Sequence, residues 1–219
     1  MKNYINRIAV SLIAIVTAYC FTNQVQAFNK KNTAKETVLS SEQLYDLSLE
    51  DNLVTPDLGS QRKNIKEYQR VQARKLAAAG YYVETTRGGE VIIVTIQSDE
   101  LFTPNTKTLK PKASKLLHPF VNFLNVPDMY RMMLVMHSDN TGTEKYTDNL
   151  SNDRVLVVLD WFQKQTKNTE YVIPYGMGAA DPLYPNNSMD NRSNNRRLEI
   201  YLVPGNAMIK KSEHKALIY

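Results

Sequence analysis

Two charged side chains in this sequence have the types and the spacing to hold a small zwitterion. Asp139 lies in the polar loop His137-Ser138-Asp139-Asn140-Thr141-Gly142, directly after the apolar run Met132 to Met136, and Arg154 follows in a segment long enough for a helix. A carboxylate and a guanidinium that face one cleft complement an α-amino acid, with the amino group at Asp139 and the carboxylate in the bidentate fork of Arg154. Each residue also has a plainer use. An aspartate in a Ser-Asp-Asn-Thr-Gly loop commonly closes a turn through its own side chain, and most helix arginines are solvent contacts.

Residues that could do covalent or acid/base chemistry are scarce. The three histidines, His118, His137 and His214, are scattered over a helical segment, a strand end and the tail, and there is no His-x-x-x-His, cysteine pair, Gly-x-Ser-x-Gly or P-loop. His137 with Asp139 would be the acid/base pair of a polymer-degrading enzyme, although a histidine at a strand end is more often structural. Asp148 and Asp153 fit the first turns of a helix, where they meet its dipole favourably. The expectation is therefore no catalytic residue, no metal and no cofactor.

Placing Asp139 and Arg154 together needs a strand that ends at the loop and a helix that leaves it. Tyr130 to Met136 supplies the strand. Leu150 to Gln165 contains Val155-Leu156-Val157-Val158-Leu159, which favours a strand by propensity, but the unbroken stretch from Asp148 to Lys167 exceeds strand length and predicts a helix. Upstream, Ile65, Tyr68, Val71, Leu76 and Ala79 recur at helical spacing and Gly80 follows them, which predicts a helix over Ser60 to Ala79. Its Arg62, Lys63, Lys66, Arg70, Arg74 and Lys75 face a single acid, Glu67, and make either a solvated face or a contact for anionic headgroups or an acidic partner.

Tyr81 to Thr85 and Glu90 to Ile96, joined through Arg87-Gly88-Gly89, predict a hairpin. A helix carrying Ala113, Leu116, Leu117, Phe120, Val121 and Leu124 follows Pro111 and should bend or split at Pro119. Glu170 to Tyr175 is a further strand ended by Gly176-Met177-Gly178, Asp181 to Asn191 a long loop, and Arg196 to Val203 a strand with Leu198, Ile200 and Leu202 on one face. Residues 28 to 57 read as a mobile linker with a short helix at Ser41 to Leu49, and Pro204 to Tyr219 carries no clear signal. Helices alternating with strands after an opening hairpin predict an α+β fold, a mixed sheet with helices packed on one face, preceded by a helical N-terminal arm.

The 219 residues, 42% of them hydrophobic, suffice for one packed domain with an appendage. Residues 1–27 have the form of a signal peptide: Lys2 and Arg7 precede the apolar stretch Ile8 to Ala18, and Val25-Gln26-Ala27 fits the cleavage pattern. That stretch is shorter than the roughly 20 residues of a membrane span. The only cysteine, Cys20, falls inside the signal region, so cleavage after Ala27 leaves no thiol; lipid attachment at Cys20 is the alternative, against which Tyr19 is larger than the residue usual at that place. Cleavage removes Lys2 and Arg7 and no acids, leaving 25 basic against 22 acidic side chains, a balance too mild to argue for nucleic acid.

From Leu101 to Val203 the chain resembles the OmpA-like peptidoglycan-binding domain, found at the C-termini of outer-membrane porin-type proteins, in peptidoglycan-associated lipoproteins and in flagellar stator proteins. The matching pieces are Leu109-Lys110-Pro111; His137 to Gly142, where the family has Gly-His-Thr-Asp-x-x-Gly; Leu150-Ser151-x-x-Arg154, where it has Leu-Ser-x-x-Arg-Ala; Gly176-x-Gly178 with Pro182; and Asn195-Arg196-Arg197-x-Glu199. The departures are Met136 for the family's Gly, Ser138 for Thr, Val155 for Ala, and Thr147 at the usual Asn position.

The resemblance implies a βαβαββ fold that binds the diaminopimelate-containing stem peptide of peptidoglycan without cutting it and tethers the envelope of a Gram-negative cell to its wall. The family's ligand aspartate and arginine fall on Asp139 and Arg154, with Ser138, Asn140, Thr103 and Arg196 around them, Arg196 either lining the cleft or serving as a structural ion-pair partner. The alternatives are a periplasmic enzyme or a protein–protein module on the same fold. The expected organisation is a signal peptide over 1–27, a linker and basic helical segment over 28–80, the OmpA-like domain over 81–204 and a tail over 205–219. Residues 28–80 are too few for an eight-stranded membrane barrel, whose strands need about 9 to 11 residues each. The expected location is the periplasm, associated with the outer membrane and wall, with an outer-membrane protein or lipid as the partner of the N-terminal arm.

Overall fold

The structure is a computed structural model that describes residues 41–218. The expected signal peptide, Cys20 and most of the linker lie outside the described residues. Two short helices, α1 (Ser41–Tyr45) and α2 (Leu49–Asn52), precede the long α3 (Arg62–Ala78), the hairpin β1 (Tyr82–Thr86) and β2 (Val91–Gln97), and the single turn α4 (Ser98–Leu101). There follow α5 (Ala113–Val121), β3 (Tyr130–His137), α6 (Glu144–Gln165), β4 (Val172–Gly178), α7 (Met189–Asn195), β5 (Arg197–Pro204) and α8 (Asn206–Glu213). The sheet order is β1-β2-β5-β3-β4, antiparallel except for β3 and β4, which the α6 crossover joins in parallel.

Strand alternation decides what each face buries. Met132, Leu134 and Met136 of β3 and Leu198, Ile200 and Leu202 of β5 join residues of α3, α5, α6 and α8 in the main core. The ambiguous run of α6 is helical, with Val155, Val158 and Leu159 buried and Leu156 53% exposed, a periodicity that a strand would not give. Pro119 is accommodated within α5, which tightens immediately afterwards into a 3-10 turn at Asn122–Leu124.

The opposite face is also covered, by a segment expected to be mobile. Leu44 packs with Met133, Val135, Ile173 and Val203, and Leu47, Leu49 and Leu53 border this second cluster. Polar bonds fix the segment: the Asn52 Nδ2 donates to Leu44 O and to the Tyr175 hydroxyl, Arg131 donates to Asn52 Oδ1 at 2.9 Å, and the Tyr45 hydroxyl donates to Val172 O at 2.7 Å. The expectation of mobility is thus corrected for residues 41–53. The four leucines, hidden in a polar stretch, complete an apolar sheet face that would otherwise meet water.

Helix α3 is equally part of the body. Ile65 and Leu76 enter the main core, and the buried Gln69 amide donates to Glu90 O (2.8 Å) and Leu202 O (3.2 Å) while accepting from the Tyr130 hydroxyl (3.0 Å). Besides the single turn α4, two helices lie where none was expected. One is α7, within and just after the long loop; the other is α8 in the tail, anchored by the buried Met208 and by the Ser212 hydroxyl on Gln61 Oε1 at 2.8 Å. Among the described residues no helix is long and apolar enough to cross a membrane.

Candidate functional site

Because β5 runs antiparallel to both of its neighbours, its entrance lies between their exits. Arg197 is in register with Gln97 of β2 and with His137 of β3. One step further out, Ser98 N donates to Arg196 O at 2.9 Å, and the carboxylates that follow the two exits, Asp99 and Asp139, both reach Arg196. Arg196 gives NH1 to Asp139 Oδ2 at 2.6 Å, and Nε and NH2 to the two oxygens of Asp99 at 3.2 and 2.7 Å. The hydrogen bonds from Arg196 hold the Asp99 carboxyl below its ordinary range, and Asp99, then Asp139, raise the pKa of Arg196 in turn. At Asp139 burial works to raise the pKa, but Arg196 and Thr141 more than offset it and the carboxyl stays below its ordinary range.

Asp139 also closes its turn, accepting from Thr141 N on Oδ1 at 2.8 Å. The turn-closing use and the charged use of this residue therefore coexist, one on each oxygen. Asn140 is exposed beside it, and the Ser138 hydroxyl is buried without a hydrogen-bond partner.

The hydrogen bonds of Arg154 go to groups other than Asp139, whose charge it still feels. Its guanidinium lies 4.9 Å from the Phe102 ring centroid and donates to Thr106 O (2.8 Å), Ser98 Oγ (3.1 Å) and Thr103 O (3.4 Å). The β5 register supplies Arg196 to Asp139, while the loop after α4 supplies Arg154 with carbonyls. The two networks meet at consecutive residues, since Ser98 accepts from Arg154 and Asp99 from Arg196. Burial lowers the pKa of Arg154 from its ordinary value. Thr103 enters through its carbonyl, and its residue is otherwise exposed. Asp99 was missed in the sequence, because only the β2–β5 register brings it to the site.

The glycines of Gly176-Met177-Gly178 are explained by the approach of α6 to β4. A Cβ on Gly176 would fall 2.6 Å from the Asn152 backbone N, and one on Gly178, at φ +51°, would overlap the Asp148 side chain. The same approach lets Gly178 N donate to the Ser151 hydroxyl at 2.9 Å, which fixes the turn of α6 that precedes Arg154. Two of the departures from the family pattern also have physical uses here: Met136 is fully buried in the main core, and the buried Thr147 hydroxyl donates to Glu144 O within its own helix.

In Asn195-Arg196-Arg197-x-Glu199 only Arg196 reaches the site. The buried Asn195 amide exchanges hydrogen bonds with both backbone groups of Tyr184 (2.8 and 2.9 Å) and so ties down the loop before α7. Arg197, 0% exposed, donates from Nε to Glu199 Oε1 at 2.6 Å, and the Tyr201 hydroxyl donates to Oε2 at 2.6 Å. His137 points into this buried cluster, with Nε2 3.6 Å from Glu199 Oε2. Burial pushes the Glu199 carboxyl up, but His137 and Arg197 outweigh it and hold the carboxyl far below its ordinary range. The histidine's titratable neighbour is therefore Glu199, which removes the geometric basis of a His137–Asp139 acid/base pair. Among the described residues no group of three His, Cys, Asp or Glu is arranged to hold a metal.

Residues 101–196 match the sequence model of the OmpA family. The probable lipoprotein YiaD of Escherichia coli K12 is 28% identical over 139 residues, covering 63% of this chain and 64% of that protein. The outer-membrane lipoprotein YfiB of Pseudomonas aeruginosa is 30% identical over 109 residues, covering 50% and 64%. The peptidoglycan-binding protein ArfA of Mycobacterium tuberculosis H37Rv is 27% identical over 93 residues, 42% of this chain and 28% of that one. The chain thus spans less than two thirds of the length of each of these relatives. Among solved structures, a MotB-like protein from Desulfovibrio vulgaris superposes with a TM-score of 0.57 at 25% identity, covering 66% of this chain and 95% of that one. The cell wall anchor of the T6SS from Pseudomonas aeruginosa superposes with a TM-score of 0.53 at 26% identity, covering 64% and 99%.

Proposed function

Because residues 101–196 form a domain of the OmpA family, we propose that this protein binds peptidoglycan without cutting it and tethers the cell envelope to the wall from the periplasm. The kinship with a peptidoglycan-binding protein and a cell wall anchor supports binding of the wall in general. The ligand end we assign is the zwitterionic diaminopimelate of a stem peptide, its ammonium at Asp139 and its carboxylate at Arg154, with Ser138, Asn140 and Thr103 at the rim.

The observation that carries this reading is that both charged groups are buried and rigidly held, yet keep unused bonding capacity. A guanidinium has five N–H donors. Arg154 has one of its donors on each nitrogen engaged by Thr106, Ser98 and Thr103, so one N–H on each terminal nitrogen is left to fork onto a carboxylate. A carboxylate offers about four acceptor sites, more than Arg196 and Thr141 occupy at Asp139. An ammonium can therefore join Asp139 without displacing Arg196, which Asp99 holds in place from the other side.

The test is co-sedimentation of the full chain with isolated sacculi, with soluble diaminopimelate as competitor. Binding that diaminopimelate displaces, and that Asp139→Ala or Arg154→Ala removes while the melting curve stays cooperative, is the expected result. Undiminished binding by both variants would exclude this site, and release of muropeptides would replace binding by hydrolysis.

A further inference from the structure

A second site lies at the opposite end of the sheet from Asp139 and Arg196. A groove of about 550 Å³ runs between α3 and the β1–β2 turn, lined by Lys63, Lys66, Arg70 and Arg74 against two acids, Glu67 and Glu84. Its floor is apolar, made by Ala73, Ala77 and Val83, of which Ala73 and Val83 also pack on the main core. Gly88 and Gly89 close one end. Arg87, Gly88 and Gly89 are three successive residues at positive φ (53°, 64° and 93°), and successive backbone N–H groups in turns of this kind form anion-binding concavities. The seven residues of β2 separate this turn from Ser98, a distance of about 20 Å at the usual rise per strand residue.

We propose that this groove binds the phosphate-bearing headgroup of an anionic phospholipid, docking the domain on a membrane surface by the pole opposite the Asp139 site. The basic rim selects the phosphate by charge, and the apolar floor accepts the glycerol and the first carbons of the chains, which a bare inorganic anion lacks. Lys63 and Arg74 are exposed, whereas Arg70 is paired with Glu67 and Lys66 stands 3.9 Å from Glu90, so an incoming phosphate competes with these two carboxylates at the rim; α3 is locked by Ile65, Gln69 and Leu76, which holds the rim on a rigid element. The closer partner of the buried Glu90, Arg62 at 2.6 Å, is not among the lining residues, which leaves Lys66 as the longer of the two pairings. This inference does not rest on the wall-binding reading, and either can fail without the other.

The test is a titration of the isotope-labelled full chain with a soluble short-chain phosphatidylglycerol below its micelle concentration, followed by amide NMR. The Gly88 and Gly89 amides should shift saturably, phosphatidylcholine of equal chain length should leave them in place, and glycerol phosphate should bind at least tenfold more weakly. The variant Lys66→Gln/Arg70→Gln/Arg74→Gln should lose at least tenfold in affinity, and the charge-matched Lys115→Gln/Lys164→Gln/Lys167→Gln should not. Absent shifts, equal binding of glycerol phosphate, or equal loss in both triple variants would each overturn the proposal.

Discussion

Asp139 and Arg196 are 57 positions apart in the chain and 2.6 Å apart in space. Their pairing is a consequence of register: β5 enters the sheet where β3 leaves it, and the cation just before β5 meets the first carboxylate beyond β3. Asp99 completes the bridge from the exit of β2.

Replacing Arg196 by Ala should make the loss of stability depend on pH. Arg196 depresses the carboxyl pKa of both Asp99 and Asp139 in the folded state. A carboxylate depressed on folding contributes stability above its unfolded value, near 3.9, and loses that contribution as the pH falls through its folded value. The gap in unfolding free energy between the native protein and Arg196→Ala should therefore be widest above about pH 4 and shrink on acidification. Urea unfolding at a series of pH values measures this, and a gap independent of pH would show that the bridge stabilises through packing alone.

Arg154→Lys keeps the charge but not the fork. The carbonyls of Thr103 and Thr106 would lose the planar donor that now spans them, and a ligand carboxylate would lose bidentate capture. Affinity for sacculi should fall at least tenfold, about 1.4 kcal/mol, and the amides of residues 103–108 should exchange faster with solvent. Faster exchange with unchanged wall binding would mean that Arg154 serves only the loop.

Glu199→Gln should damage the fold rather than the site. Arg197 is wholly buried and, among the described residues, takes its buried countercharge from Glu199, so removing that charge strands a guanidinium in the sheet. Breaking one side of a buried pair typically costs about 3–5 kcal/mol. The denaturation midpoint should drop accordingly, while any sacculus binding by the protein that remains folded should keep its affinity. A shift below about 1 kcal/mol would indicate that water or Asp181 takes over the role.

Much of this structure was legible from periodicity. The hairpin, the strand before the loop, the helix through Val155 to Leu159 and the last strand all follow from spacing, because each repeats a local pattern several times. What was not legible depends on contacts between distant segments. Arg196 and Arg197 are indistinguishable as sequence, yet the one just before β5 bridges Asp99 and Asp139 and the other, the first residue of the strand, is sealed beneath the sheet beside Glu199. The arm over residues 41–53 reads as a polar linker because its leucines are spaced for a sheet that only the rest of the chain supplies. Helix α7, made of Met189-Asp190-Asn191-Arg192-Ser193-Asn194-Asn195, has little helix propensity of its own and is fixed by the Ser188 cap and by the buried Asn195.

Gly178 offers the sharpest test of how the site is positioned. In Gly178→Ala two costs add: a left-handed backbone at φ +51° and an overlap of the new Cβ with the Asp148 side chain. Together they should destabilise the protein by about 2–4 kcal/mol, combining the strain of a non-glycine left-handed residue with overpacking. The second variant Gly178→Ala/Asp148→Ala removes the side-chain overlap but not the backbone strain or the 3.3 Å approach to the Asp148 backbone N, so it should recover only part of the loss. Because Gly178 N also anchors the Ser151 hydroxyl, any displacement of α6 should carry Arg154 with it and weaken wall binding in proportion to the residual strain. Full recovery of both stability and binding in the double variant would mean that β4 tolerates a Cβ here and that Ser151, not the glycine, sets the position of Arg154.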